Sequence, residues 1–454
     1  MAVNSDNMPD MRQRKVQAEA QNGKAPEPAK EKAPEPGKVT FDSMIAFEER
    51  ISLLHCSENN YRGFVNVLII LLVLGNARIV IQNMYKYGWL VEPWSFFAPA
   101  KWPNVILTCS LLINFLIAFA IQRSSRFLPK RFVLTLDMIN IVASFCVPWA
   151  GLWLSQANPA GGVITLVYAT TAVMKLTSFA ARWRALQENA AKENKTYQPT
   201  LGELFYFVAA PTCVFSPSYP RTKEVRWFWV FKRIVEFCGI WFAIYFLAGQ
   251  YVVPSLSNTM TPLEKGNIIL VMEGMLKIAV PNFMIWLLGF YSIFHIYLNV
   301  LAELTRFGDR QFYQDWWNST TVSFFWRSWN LPVHQFMVAH VYIPMLGAGF
   351  KKNHASVVIF FFSALMHELI VSIPFCNFKL LAFGGMMAQI PLIEMTNRFK
   401  GTQTGNFVFW LSIMLGQPLI VLLYARDYYF GLHGPWTEAD TKTVMNALGM
   451  GSEA

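Results

Sequence analysis

Residues 360–375 read FFFSALMHELIVSIPF. An imidazole, His367, and a carboxyl, Glu368, stand side by side in a run that is otherwise almost entirely apolar. A charged group near the centre of a bilayer costs about 2.5 to 3.5 kcal/mol on insertion scales, so such a pair needs a partner, a water-filled cavity or a task. The fold turns on whether this run crosses a membrane.

About 17 to 25 apolar residues suffice to cross a hydrocarbon core. Such runs recur near 64–84, 104–121, 132–154, 161–180, 227–252, 275–302, 355–375, 379–397 and 405–424. This pattern predicts an all-α polytopic membrane protein with about nine transmembrane helices. Composition agrees: 54% of the 454 residues are hydrophobic and only 15% are charged, where a soluble domain carries about a quarter charged residues. The six cysteines, Cys56, Cys109, Cys146, Cys213, Cys238 and Cys376, lie mostly inside apolar runs without CxxC or zinc-type spacing, and are expected to be buried free thiols.

Orientation follows from Lys and Arg in the short loops, because positive charge resists translocation. The loop QRSSRFLPKR (122–131) has four basic residues and no acid, while SQANPAG (155–161) has no charge. The first is therefore expected in the cytosol. Counting outward puts the N-terminus, 181–226, 303–354 and the Arg398/Lys400 turn on the same side, and the C-terminus in the lumen. The sequons at Asn194 and Asn318 then face the cytosol and should carry no glycan. The net charge of +10 fits inside-facing loops with an anionic ligand, and no nucleic-acid partner is expected.

The start of the chain reads as no signal peptide. Residues 1–40 are polar and include APEPAKEKAPEPGK, a composition that cannot offset the entropy of ordering, so a disordered cytosolic tail is expected there. Targeting then falls to the first transmembrane helix. An amphipathic segment over 41–58 is a candidate oligomer contact, 59–430 the membrane domain, and 431–454 a lumenal tail.

The chemistry is read from the polar residues. A buried histidine has a plain alternative role, a neutral ring hydrogen-bonded across helices. Ser363 lies one helical turn before His367, which makes a polar stripe. The pair matches the first half of a zinc-binding HExxH, but Val371 occupies the second histidine position, and no metal site is expected. Upstream, the stretch ELTRFGDRQFYQDWWNSTTVSFFWRSWNLPVHQF (303–336) reads as interfacial helices, with Asp315, Asn318, Asn330 and His334 interleaved among aromatics. Asn330, ahead of Leu331 and Pro332, suits a helix N-cap, and His334 would follow one turn later.

There is no GxSxG elbow, Walker loop or dinucleotide fingerprint. A neutral imidazole within a membrane can take a proton from an alcohol that dissolves only in lipid. A nearby asparagine amide can donate to an oxygen as it becomes negative. Together these residues suggest acyl transfer to a lipid alcohol. A proton-coupled transporter would use the same pair but is expected to show inverted repeats, which the sequence lacks. A non-enzymatic scaffold would lose nothing when His367 is removed.

FYQDWWN (312–318) resembles the FYxDWWN signature of the diacylglycerol and sterol branches of the membrane-bound O-acyltransferase family, and SALMHEL (363–369) resembles the block carrying that family's histidine. The resemblance runs from about Asn59 to Phe430 through residues 60–91, KIAVPNFMIW (277–286), GGMMAQIPL (384–392) and GQPLIVLLYARDYY (416–429), and is nearer the diacylglycerol branch. It implies about nine helices enclosing a buried reaction chamber in the endoplasmic reticulum membrane, with cytosolic interfacial helices, assembled as a homodimer or homotetramer.

By the same resemblance His367 is the catalytic base, Glu368 supports it and Asn330 is the second polar catalytic position. Phe312, Tyr313, Asp315, Trp316, Trp317, Asn318, Trp329, His334 and Ser363 would serve acyl-CoA, while Met386, Gln389 and Gln417 would line the chamber. Acyl-CoA would be a co-substrate and diacylglycerol the acceptor, with no cofactor and no metal. Basic residues among Arg306, Arg310, Arg327, Lys351 and Lys352 would hold the phosphates. Met366 and Leu369–Ile370 depart from the aromatics that relatives often carry there, which bears on the acyl pocket. A sterol acceptor is the nearest alternative.

Overall fold

The computed structural model describes residues 67–68, 71, 80–91, 102–155, 159–195, 197–198 and 200–433. The expected tail 1–40, the segment 41–58 and all but three residues of 431–454 lie outside the described residues, as does most of the expected span 64–84.

Within the described residues the chain is helical, and its one β contact is an isolated bridge between Arg221 and Phe307. The first three long helices are α1 (Trp102–Ser124), α2 (Lys130–Ser155) and α3 (Pro159–Lys192). After the short α4 (Leu201–Ala209) comes α5 (Trp227–Leu247), which passes through a π-helical stretch, Ala248–Val252, into α6 (Val253–Glu264). Next, α7 (Ile268–Phe290) continues through a second π-helical stretch, Tyr291–Tyr297, into α8 (Leu298–Leu304). A loop with one 3₁₀ turn leads to α9 (Val322–Ser328), and α10 (Leu331–Met337) joins α11 (Ile343–Gly347) through a third π-helical stretch, Val338–Tyr342. The chain ends with α12 (Lys352–Ser372), α13 (Leu381–Met387), α14 (Gln389–Asn397) and α15 (Gln403–His433).

Among the described residues, six stretches are long and apolar enough to cross a membrane: α1, α2, α3, Ile268–Leu304, α12 and Gln403–Tyr424 of α15. The protein is thus a multi-pass, all-α membrane protein. Residues 227–252 are helical as expected, with a π-helical stretch at Ala248–Val252, and carry three charged residues, Lys232, Arg233 and Glu236. Arg233 pairs with Glu236, which also accepts from Tyr291 Oη at 2.7 Å. Residues 379–397 depart from expectation. In place of one crossing there are two helices of 7 and 9 residues. At 1.5 Å per residue neither reaches half of a core about 30 Å thick. Pro391 gives the reason, since within a continuous helix its ring would clash with the carbonyl of Met387.

The cysteines also differ in part. Cys213 is buried, but Cys109, Cys238 and Cys376 are exposed, all as free thiols. A thiol behaves as a small hydrophobe, so an apolar run can carry it on an outward face.

Of the apolar clusters that join the helices, two are the largest. Leu111, Phe115, Phe179, Trp183, Leu204 and Phe207 join α1, α3 and α4. Lys175 fixes the end of α4: its buried ammonium donates to the carbonyls of Phe207, Val208 and Ala210 at 2.8, 2.9 and 2.8 Å. Those carbonyls lie at the helix's negative end, where a cation is favourable. The other cluster, around Phe283, Trp316, Phe325 and Phe409, joins α7 and α15 to the loop before α9.

Candidate active site

His367 lies near the end of α12, where its Nδ1 is 2.7 Å from the carbonyl oxygen of Ser363. A carbonyl can only accept, so this bond puts the imidazole proton on Nδ1 and leaves the Nε2 lone pair available. No hydrogen bond from the described residues reaches Nε2. The Ser363 hydroxyl stands further off, 3.4 Å from Nδ1. The ring is accessible.

Glu368 takes a different direction. Adjacent residues on a helix project about 100° apart, and Glu368 is buried, with 1% of its surface exposed. Its carboxylate accepts from Leu380 N at 3.0 Å, Phe383 N at 2.9 Å, Tyr424 Oη at 2.8 Å and the Ser372 hydroxyl, and it makes no bond to His367. Leu380 is in the left-handed region at φ 56° and supplies no side-chain cap for α13. Glu368 therefore caps α13 from another helix, and four donors compensate the burial of its charge. Glu368 thereby ties α12 to the start of α13 and to the Tyr424 side chain of α15.

Asn330 is the N-cap of α10, its Oδ1 accepting from Val333 N at 3.2 Å, while its Nδ2 has no hydrogen-bond partner among the described residues. The preceding helix reaches α12 through Trp326, whose ring centroid is 6.0 Å from that of Phe360, two helical turns before His367. The helix just before Asn330 thus packs on the helix that carries His367. Burial first, and the Arg327 guanidinium second, hold His334 below the ordinary imidazole range, which keeps it neutral near pH 7.

FYQDWWN contributes to the aromatic core cluster. Phe312, Tyr313 and Trp316 are buried. Trp316 is 0% exposed, enclosed by Trp286, Phe290, Trp317, Phe325 and Trp410 at centroid distances of 5.3, 4.9, 5.8, 5.9 and 5.8 Å. Its ring is closed off from solvent in this arrangement and packs the core. Tyr313 Oη meets His295 Nδ1 at 2.9 Å. Trp317 and Trp329 are half-buried and retain accessible surface, and Asn318 is exposed, with its amide 3.4 Å from Asp315.

Met386 is half-buried on α13, which Glu368 ties to α12, and Gln389 is half-buried at the start of α14, whereas the Gln417 side chain lies outside the described residues. Of the basic residues, Arg310 is committed to the buried Glu303, which also takes Arg226 through Nε at 3.0 Å and Nη2 at 2.9 Å. Arg306 Nε donates to Thr222 O at 2.8 Å and Arg327 Nε to Ser323 O at 3.2 Å. Lys351 and Lys352 are exposed. Among the described residues, no group of three or more His, Cys, Asp or Glu could hold a metal ion.

Sequence reading missed Ser372, Tyr424 and Glu303. Ser372 sits one turn after Glu368, a signal that was available. Tyr424 is 56 residues away in sequence and Glu303 is paired with an arginine 77 residues earlier, so neither pairing could be read locally.

The model of the membrane-bound O-acyltransferase family matches residues 122–426, which contain every element of this site. The chain belongs to the membrane-bound O-acyltransferase family. It is 40% identical over 410 residues to diacylglycerol O-acyltransferase 1 of Dictyostelium discoideum, covering 86% of this chain and 66% of that protein. Diacylglycerol O-acyltransferase 1A of Glycine max is 38% identical over 390 residues, 81% of this chain and 78% of the relative. Diacylglycerol O-acyltransferase 1 of Homo sapiens is 37% identical over 399 residues, 82% of this chain and 81% of the relative. This chain therefore spans just under two thirds of the first relative and about four fifths of the other two. The family assignment gives a context for an accessible imidazole in an apolar helix, which composition alone left open between an acyltransferase and a transporter.

Proposed function

We propose that this chain is an acyl-CoA:diacylglycerol O-acyltransferase with His367 as general base. The observation that carries the reading is the His367 ring itself, accessible, with its proton held on Nδ1 by the Ser363 carbonyl, in a chain similar to diacylglycerol O-acyltransferases from three kingdoms of life. Nε2 takes the proton from the free hydroxyl of diacylglycerol as that oxygen attacks the thioester carbonyl of acyl-CoA. Negative charge develops on the carbonyl oxygen, where the free Nδ2 of Asn330 can donate. The C–S bond then breaks, the thiol leaves with the proton from the imidazolium, and triacylglycerol remains. The acyl group passes directly between substrates, with no acyl-enzyme.

Lys351 and Lys352 are the best placed of the basic candidates for the CoA phosphates, since Arg306, Arg310 and Arg327 already have partners. The reading places the enzyme in the endoplasmic reticulum membrane as a homodimer or homotetramer, with a cytosolic N-terminus and a lumenal C-terminus. A glycan on Asn194 or Asn318 in microsomes would reverse that orientation, and a monomeric mass in mild detergent would contradict the assembly. The acceptor is tested by giving the purified protein labelled oleoyl-CoA with an equimolar mixture of diacylglycerol and cholesterol. Labelled triacylglycerol is expected, and labelled cholesteryl ester in its place would move the chain to the sterol branch.

A further inference from the structure

Three long apolar helices bring their polar ends together: α1 ends at Ser124, α2 begins at Lys130 and α3 ends at Lys192. Between the turn after α1 and the end of α3 lies a cleft of about 190 Å³ lined by Ser125, Arg126, Gln187, Ala191, Lys195 and Tyr197. Its chemistry is one-sided. The segments 122–131 and 187–195 contain six cations, Arg123, Arg126, Lys130, Arg131, Lys192 and Lys195, against two acids, Glu188 and Glu193.

Some of these charges are already used. Lys130 pairs with Glu188 at 3.3 Å, Arg123 Nη1 donates to Gln198 at 2.9 Å, and Lys195 meets Glu193 at 3.0 Å. The last pair is 74% and 66% exposed, so solvent screens it and a better anion can replace it. The Arg126 guanidinium makes no hydrogen bond or ion pair to the described residues, and the Tyr197 hydroxyl is buried without a partner among them. The cleft thus presents a guanidinium and an ammonium, and one of its lining residues holds a buried hydroxyl without an acceptor among the described residues. A phosphate group carries only acceptors when ionised, and arginine matches its geometry with paired donors.

We infer that this cleft binds a phosphate group, independently of the acyl-transfer site. Either a phospholipid headgroup or a soluble phosphate could supply that chemistry. Its place at the ends of crossing helices puts it at headgroup depth. Phe127, next to Arg126 and 87% exposed, is suited to the interfacial region beside it.

The test uses the full chain in phosphatidylcholine nanodiscs, with lipid retention read by native mass spectrometry and thermal stability read in parallel. In one arm phosphatidate is added to the discs, and in the other inorganic phosphate is added to the buffer. Wild type should retain phosphatidate, or be stabilised by phosphate, about tenfold more strongly than the Arg126→Ala/Lys195→Ala double variant, the effect of losing roughly one charge-assisted contact. Tyr197→Phe should show a smaller loss. Arg398→Ala/Lys400→Ala, which removes two exposed charges elsewhere, should match wild type. An effect in the phosphatidate arm alone assigns a lipid headgroup, and one in the phosphate arm alone assigns a soluble anion. No binding in either arm, or an equal loss in the Arg398→Ala/Lys400→Ala control, overturns the inference. Neither readout requires acyl transfer, so this result is separate from the fate of the proposed reaction.

Discussion

The end of α12 and the loop carrying FYQDWWN stand out equally in the sequence, yet the structure uses them in opposite ways. At the end of α12 an imidazole keeps a free lone pair and an accessible face. In the loop the most conspicuous residue, Trp316, is closed in by five other rings. A distinctive motif therefore shows where a fold is constrained, and only unused hydrogen-bonding capacity with access shows where it can act on a ligand. The same distinction separates adjacent residues, since His367 has a spare acceptor and the four bonds of Glu368 are all internal.

The largest effect on the protein itself should come from Trp316→Ala, because emptying a fully packed aromatic site costs about 3 to 5 kcal/mol. We expect a steep fall in thermal stability and in monodisperse yield. A variant that kept wild-type stability but lost acyl-CoA binding would return Trp316 to the ligand path. Asn330 gives the next largest effect and can be divided. Asn330→Asp retains an oxygen for the cap but removes the amide donors, so turnover should fall by about 10²-fold, the lower range for one lost oxyanion donor, with little change in melting temperature. Equal losses of stability and turnover would leave only the cap.

Glu368→Gln should have an intermediate effect. Replacing one carboxylate oxygen with an NH₂ group faces a donor with a donor inside the protein, at a cost of about 1 to 3 kcal/mol. Melting temperature and activity should fall together, while the pH dependence of the remaining activity should match wild type. A shifted pH profile would show that Glu368 acts on the imidazole directly. Ser363→Ala should have the smallest effect, about threefold or less, because the Ser363 carbonyl remains to hold Nδ1 while the hydroxyl, 3.4 Å away, is a marginal partner. A loss of about a hundredfold would mean that the hydroxyl, and not the carbonyl, sets the tautomer.

Much of this fold was legible because hydropathy reports lengths that are buried away from water. It located α1, α2, α3, α12 and the span within α15. It failed at 379–397 because an apolar run does not reveal whether it crosses or folds back, and the break depends on Pro391. Asn330 was legible as a cap because capping is local, one residue against the next turn. Glu368 was not, because its partners Leu380, Phe383 and Tyr424 lie 12, 15 and 56 residues away. The burial of Trp316 was also hidden, since an aromatic side chain at an interface and one in a core have the same sequence signature.

The central claim is that the free Nε2 of His367 removes the acceptor's proton. The most direct test compares purified wild type and His367→Ala in transfer of labelled oleate from oleoyl-CoA to diacylglycerol, at matched monodispersity and melting temperature. General-base catalysis contributes about 10²- to 10⁴-fold, so the variant should form labelled triacylglycerol at least about a hundredfold more slowly while remaining folded. Triacylglycerol formed by His367→Ala at the wild-type rate would contradict the account.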